Sequence, residues 1–115
     1  MGILYLDHEV NNLNSFKAAF RREAMVFIAE TTDMAISILE NNKIEIIFAD
    51  HHMPEMTGLD FLRLVATRFP DSKRVILTGN AYTDEFRAAA QKGIFHRYVN
   101  KPWDEQQLRT LMETL

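Results

Sequence analysis

The stretch Ile46-Ile47-Phe48-Ala49-Asp50, followed by His51-His52-Met53-Pro54-Glu55-Met56-Thr57-Gly58, decides the reading of the fold. Four apolar residues in a row, stopped by a turn-rich segment, read as a buried parallel strand with a carboxylate at its C-terminal end. Asp50 therefore stands where open α/β sheets bind their ligands. Pro54 fixes one backbone angle of the loop, and Gly58 lets the chain turn into the apolar run from Leu59 to Val65.

Toward the N-terminus, Met25 to Ala29 is apolar throughout and gives another strand, and Ile3 to Leu6 gives the first, ending at Asp7. Leu13, Phe16 and Phe20 fall at helical spacing between them, with Arg21-Arg22 suited to the last turn. Thr32 or Asp33 can cap a helix with a buried stripe of Ala35, Ile38 and Leu39, ended by Asn41-Asn42. Toward the C-terminus, Leu62, Val65, Ala66 and Phe69 form a helical stripe that Pro70-Asp71 terminates. Arg74 to Thr78 is a fourth strand; Phe86, Ala89 and Ala90 mark a fourth helix with Gly93 as its C-cap, and His96 to Val99 is a fifth strand. Asp104 with Gln107 resembles a capping box before a helix faced by Leu108, Leu111, Met112 and Leu115. Such alternation predicts an α/β fold: a doubly wound, five-stranded parallel sheet with helices on both faces, joined by right-handed crossovers.

The 115 residues, 47% hydrophobic and 25% charged, suit one globular domain over 1–115. No apolar run reaches the ~18 residues a membrane span needs, so a cytoplasmic protein is expected. With no cysteine there is neither a disulfide framework nor thiolate chemistry, and a net charge of −3 gives no reason to expect nucleic-acid binding. The last helical face runs to Leu115, which suggests a domain cut from a longer protein.

Asp7, Asp50, Thr78 and Lys101 each fall at or just beyond the C-terminal end of a predicted strand. One sheet edge thus collects two carboxylates, a hydroxyl and an amine. Two carboxylates about 4 Å apart repel by ~4 kcal/mol at an effective dielectric of ~20, so they call for a cation or a shared proton. A hard divalent cation with oxygen ligands answers that need. The set suits phosphoryl chemistry, with Asp50 as nucleophile, Lys101 and Thr78 holding phosphoryl oxygens, and the metal holding another.

Leu6-Asp7, Phe48-Ala49-Asp50 with Met53-Pro54 and Gly58, Leu77-Thr78-Gly79, and Tyr98 with Lys101-Pro102 resemble the receiver domains of two-component response regulators, the chemotaxis receiver among them. The resemblance covers essentially the whole chain. It implies a flavodoxin-like sheet of order 2-1-3-4-5, with Asp50 as phosphoacceptor for a sensor histidine kinase. It also implies Asp7 at a Mg2+ site that Mn2+ can fill, the backbone carbonyl of His52 as a metal ligand, Thr78 as switch hydroxyl, Tyr98 as switch aromatic and Lys101 as the phosphate-pairing amine. The bond before Pro102 is often cis in that family. Such a protein is a signalling switch that takes part in its own phosphorylation and dephosphorylation, and its own output domain lies outside this chain.

One position departs from the pattern. Receivers carry two adjacent acids after the first strand, and here the second is His8. Imidazole is a poor ligand for magnesium and a good one for zinc, nickel or copper. Asp7, Asp50 and the His52 carbonyl would hold the ion with extra water, or Glu9 would shift inward. The departure also sustains an alternative, a degenerate receiver used only as a docking module. His8, His51 and His52 beside two carboxylates raise a transition-metal site, against which His51 and His52 read as ordinary loop residues. A haloacid-dehalogenase-type phosphatase ranks lower, because the residue two beyond its nucleophile is an Asp and here is His52. The four glycines, Gly2, Gly58, Gly79 and Gly93, make neither a dinucleotide-binding turn nor a P-loop. Phe95, Tyr98 and Trp103 are expected to form one face for partners or a second copy of the chain, unless Phe95 and Trp103 only cover the core.

Overall fold

The computed structural model describes residues 1–115. Its strands are β1 (Gly2–Leu6), β2 (Met25–Ala29), β3 (Ile46–Asp50), β4 (Lys73–Thr78) and β5 (Arg97–Asn100). Its helices are α1 (Val10–Phe20), α2 (Thr32–Asn41), α3 (Gly58–Arg68), α4 (Asp84–Gln91) and α5 (Glu105–Glu113). Every pairing is parallel and the order is β2-β1-β3-β4-β5, the flavodoxin-like arrangement expected.

Period-two alternation gives the sheet two apolar faces. Ile3, Tyr5, Ile46, Phe48, Val75, Leu77 and Val99 pack against α1 and α5. Leu4, Leu6, Ile47, Ala49 and Ile76 pack against α2, α3 and α4. On the first face Phe16 is fully buried, its ring 4.5 Å from that of Tyr5 and 5.2 Å from that of Phe48. β3, at the centre, is buried along its whole length, which accounts for its unbroken apolar run.

Local boundaries refine the expectations. α2 is capped by Thr31 rather than Thr32 or Asp33: the Thr31 hydroxyl accepts the Met34 N–H at 3.1 Å, while Thr32 is already buried in the first turn. α1 stops at Phe20, so Arg21 is its C-cap, Arg22 lies beyond, and Lys17 is the only base in its last turn. At α5 only half of the capping box forms, the Asp104 carboxylate accepting the Gln107 N–H at 3.1 Å. α4 closes as expected on Gly93, with φ of 77°. The N–H groups of Gly93 and Ile94 bond back to the carbonyls of Ala90 and Ala89 in a Schellman pattern. β5 begins one residue late, at Arg97, and His96 before it bonds Arg74 twice, its N–H donating to the Arg74 carbonyl at 2.7 Å and its Nδ1 accepting the Arg74 N–H at 2.9 Å.

Gly58 serves close approach rather than turning: a Cβ there would lie 2.2 Å from the Asp50 carbonyl oxygen. The expected Phe95/Tyr98/Trp103 face does not exist as one surface. Phe95 is buried and, with Tyr98, packs on the α2–α4 side, whereas Trp103 packs on the α1/α5 side, edge-on to Tyr5 and Phe16. The sheet stands between them. No helix is long and apolar enough to cross a membrane.

Candidate functional site

Parallel winding brings the C-terminal ends of β1, β3, β4 and β5 to one edge, and there Asp7, His8, Asp50 and Lys101 converge. Asp7 is fully buried. Its Oδ2 accepts from the Tyr5 hydroxyl at 3.1 Å, Asn12 Nδ2 at 3.1 Å and Lys101 Nζ at 3.0 Å. Its Oδ1 accepts only the Glu9 N–H, at 3.0 Å. Burial would raise the Asp7 carboxyl, but the Glu9 bond and the bond and charge of Lys101 outweigh it and hold the group below the usual carboxylate range. Burial likewise pulls the Lys101 ammonium down, and the Asp7 bond with the charges of Asp50 and Asp7 more than reverses this. Burial first, then the Asp7 charge, keeps the Tyr5 phenol protonated far above neutral pH, so it donates toward Asp7.

Asp50 is fully buried too, its Oδ1 accepting the His52 N–H at 3.2 Å. Its Oδ2 is the one buried side-chain polar atom without a hydrogen-bond partner. Lys101 Nζ lies 3.4 Å from it, within ion-pair reach but misdirected for a hydrogen bond, and His8 Nδ1 lies 3.3 Å from it. The formal charges of Asp7, Asp50 and Lys101 leave a net negative, cation-accepting pocket. The free ligand atoms of Asp7, His8 and Asp50 all lie within 4.8 Å of one another. A divalent cation fits this donor set and would satisfy the orphaned Asp50 oxygen.

Thr78 ends β4, one residue beyond Leu77, which pairs with Asp50, and is fully buried. Its hydroxyl accepts the Asn80 N–H at 3.0 Å. Tyr98 lies on the opposite sheet face from the acidic cluster, half-buried, its ring edge-on to Phe86 and Tyr82 and its hydroxyl donating to the Asn80 carbonyl. The Asn80 backbone thus joins the two residues expected to move together. The Lys101-Pro102 bond is cis. His51 and His52 stay out of the cluster: His51 lies edge-on to Phe86, and His52 is exposed.

Three contributors escaped the sequence reading: Tyr5, Asn12 and Asn80. Tyr5 was within reach, since it lies two residues before Asp7 and alternation places both on one face. Asn12 and Asn80 carry no such signal.

A wound α/β sheet with this acidic, lysine-closed edge defines a signalling switch of the receiver class. A family model described as "Response regulator receiver domain" matches residues 3–113, and the chain belongs to that family, the receiver domains of two-component systems. Over 119 residues it is 30% identical to the chemotaxis protein CheY of Pseudomonas aeruginosa, covering 100% of this chain and 95% of that protein. It is 26% identical over 101 residues to the hydrogenase transcriptional regulatory protein HoxA of Cupriavidus necator, covering 88% of this chain. The chain spans about a fifth of the length of the first such transcriptional regulators it matches (21% and 22%). Its fold superposes on a CheY-like receiver domain from Methanospirillum hungatei with a TM-score of 0.90 at 24% identity, covering 98% of this chain and 90% of that one. Receiver domains act as switches rather than as metabolic enzymes, and they typically bind Mg2+ at an acidic cluster, the place that Asp7, His8 and Asp50 occupy here.

Proposed function

We propose that this domain accepts a phosphoryl group on Asp50 from the phosphohistidine of a sensor histidine kinase and changes conformation in response. The observation that carries the reading is the buried Asp50 Oδ2, left without a hydrogen bond while flanked by Lys101 and His8. An Asp50 carboxylate oxygen attacks phosphorus in line with the P–N bond; the P–O bond forms, the P–N bond breaks, and the imidazole leaves with the electron pair and takes up a proton. Lys101 has three N–H donors, so it can keep Asp7 and still pair a phosphoryl oxygen. A divalent cation, held by Asp7, Asp50 and the His52 carbonyl with His8 alongside, would neutralise charge on the transferred group when bound.

Thr78 completes the set. Its hydroxyl accepts from Asn80 and keeps its own proton free for a phosphoryl oxygen. Movement of Thr78 toward the phosphoryl group pulls on the Asn80 peptide, to which Tyr98 is tied, and frees the Tyr98 ring to turn inward. Longer relatives such as HoxA support a transcriptional or other output reached through this change. The docking-only alternative rests on His8 alone, and Asp50 beside Lys101, with Thr78 at the end of the neighbouring strand, supports a working acceptor instead.

The test is peptide mapping after incubation with a small-molecule phosphodonor and reductive trapping of the acyl phosphate. The modification is expected on the peptide containing Asp50 and absent from Asp50→Asn. Trapping elsewhere, or undiminished trapping in Asp50→Asn, overturns the assignment.

A further inference from the structure

The donor set at this edge is not that of an all-oxygen magnesium site. His8 Nδ1 lies 3.3 Å from Asp50 Oδ2 and 3.8 Å from Asp7 Oδ1, so the imidazole takes a place at the ion position itself. The His8 side chain is 43% exposed, so the outer ring edge meets solvent while Nδ1 faces the cluster. Glu9 does not substitute for it: its carboxylate is drawn toward Lys101, with Oε1 3.7 Å from Nζ.

Magnesium asks for oxygen ligands in a near-regular octahedron with bonds of about 2.0–2.1 Å, whose neighbouring ligands stand roughly 2.9 Å apart. A tetrahedral transition-ion site with bonds of about 2.1 Å spaces its ligands roughly 3.4 Å apart. The His8 Nδ1 separations of 3.3 Å and 3.8 Å, in a ligand group spanning up to 4.8 Å, leave room for either geometry, so ligand type decides, and the imidazole nitrogen favours the transition ion. Independently, Asp50 Oδ2 is buried, unpartnered and aimed into the same space. Asp7 Oδ1 has an acceptor site to spare, whereas Asp7 Oδ2 is already shared among Tyr5, Asn12 and Lys101.

We propose that Asp7 Oδ1, Asp50 Oδ2 and His8 Nδ1 form a nitrogen-containing site for a first-row divalent transition ion of the Mn2+-to-Zn2+ series, which it takes ahead of Mg2+. Imidazole suits these ions, and affinity for a mixed nitrogen and oxygen site climbs from Mn2+ to a maximum at Cu2+ and falls back at Zn2+. The inference deepens the phosphoacceptor reading and rests on it for the ion's purpose: acceptance of phosphate would then answer to the supply of such an ion.

The test titrates the wild-type chain, His8→Asp and His8→Ala with Co2+ alone, Zn2+ alone and Mg2+ alone. It follows the Co2+ visible bands, the heat of binding and the His8 ring 15N resonances. His8 is partly exposed, so both variants should fold, which a thermal melt verifies. Wild type is expected to bind Co2+ and Zn2+ at least tenfold more tightly than either variant, with the Nδ1 resonance displaced by Zn2+. His8→Asp is expected to gain at least tenfold for Mg2+. Equal Co2+ and Zn2+ affinity in all three chains, as binding through His51 or His52 would give, overturns the proposal, as does an unmoved Nδ1 resonance. Phosphodonor labelling in Mg2+, in Co2+ and in Zn2+ is scored in parallel. Labelled His8→Asp with His8-independent Co2+ binding defeats the metal proposal alone. His8-dependent Co2+ binding with no labelling of any chain in any metal defeats the phosphoacceptor reading alone.

Discussion

The indole N–H of Trp103 donates to the hydroxyl of Tyr5 at 2.8 Å, and that hydroxyl in turn donates to Asp7 Oδ2 at 3.1 Å. The only tryptophan of the chain is therefore two hydrogen bonds from the acidic cluster, tied to it through the α1/α5 face. Any change of charge at Asp7 is felt by the phenol and passed to the indole.

Tyr5→Phe removes the middle of that relay. Trp103 Nε1 loses its partner and Asp7 Oδ2 loses one of three donors, a loss of about 1–3 kcal/mol of folding stability. Tryptophan emission of the wild type is expected to respond to divalent metal and to phosphodonor, and the Tyr5→Phe response to be largely gone. Equal responses from both proteins would show that the relay does not report on the site.

Gly58→Ala and Gly79→Ala form a matched pair. At Gly58 a Cβ meets the Asp50 carbonyl oxygen at 2.2 Å and His51 Cα at 2.8 Å, both backbone, so either α3 or the end of β3 must move. The expected cost is about 1–3 kcal/mol, with phosphodonor labelling slowed because Asp50 itself is displaced. At Gly79 nothing lies within 4 Å, and the change should be neutral to within about 0.5 kcal/mol. Urea unfolding of the two variants decides it; equal midpoints would contradict the close-approach role.

Burial, reinforced by the charges of Arg74 and Lys73, pulls the His96 imidazole below its ordinary value, and its neutral Nδ1 accepts the Arg74 N–H. The unfolded chain takes up this proton first, near about pH 6.5. The contribution is therefore complete above that pH and is lost as pH falls toward the folded value. His51, lowered by burial and then by His52, adds with the same sign. The urea midpoint is expected to drop between about pH 7.5 and about pH 5.5, and to drop less in His96→Gln. An identical slope in the variant would assign the pH dependence elsewhere.

The fold was legible because the central strand announced itself: only a strand buried on both faces carries Ile46 to Ala49 unbroken into an acid. The residues of the candidate site were legible because winding sends every strand end to one edge, so Asp7, Asp50, Thr78 and Lys101 could be collected before any distance was known. What alternation along one strand cannot carry is position across loops. Phe95 and Trp103 flank β5 at opposite ends, and chain direction in the two loops sends them to opposite faces of the sheet. Thr31, Thr32 and Asp33 are all competent caps, and burial of Thr32, a tertiary fact, selects Thr31. Arg74 shows the same limit. It reads as a charge at a strand start, yet it is buried and donates to the carbonyls of Ile94 and Gly93, distant in sequence, as well as to that of nearby Ser72.

The most direct test of the phosphoacceptor account is intact mass after incubation with a small-molecule phosphodonor, in Mg2+, in Mn2+ and without metal, for the wild type beside Asp50→Asn. The account predicts a metal-dependent gain of one phosphoryl group by the wild type and none by Asp50→Asn. No gain with any metal, or an equal gain by the variant, would contradict it.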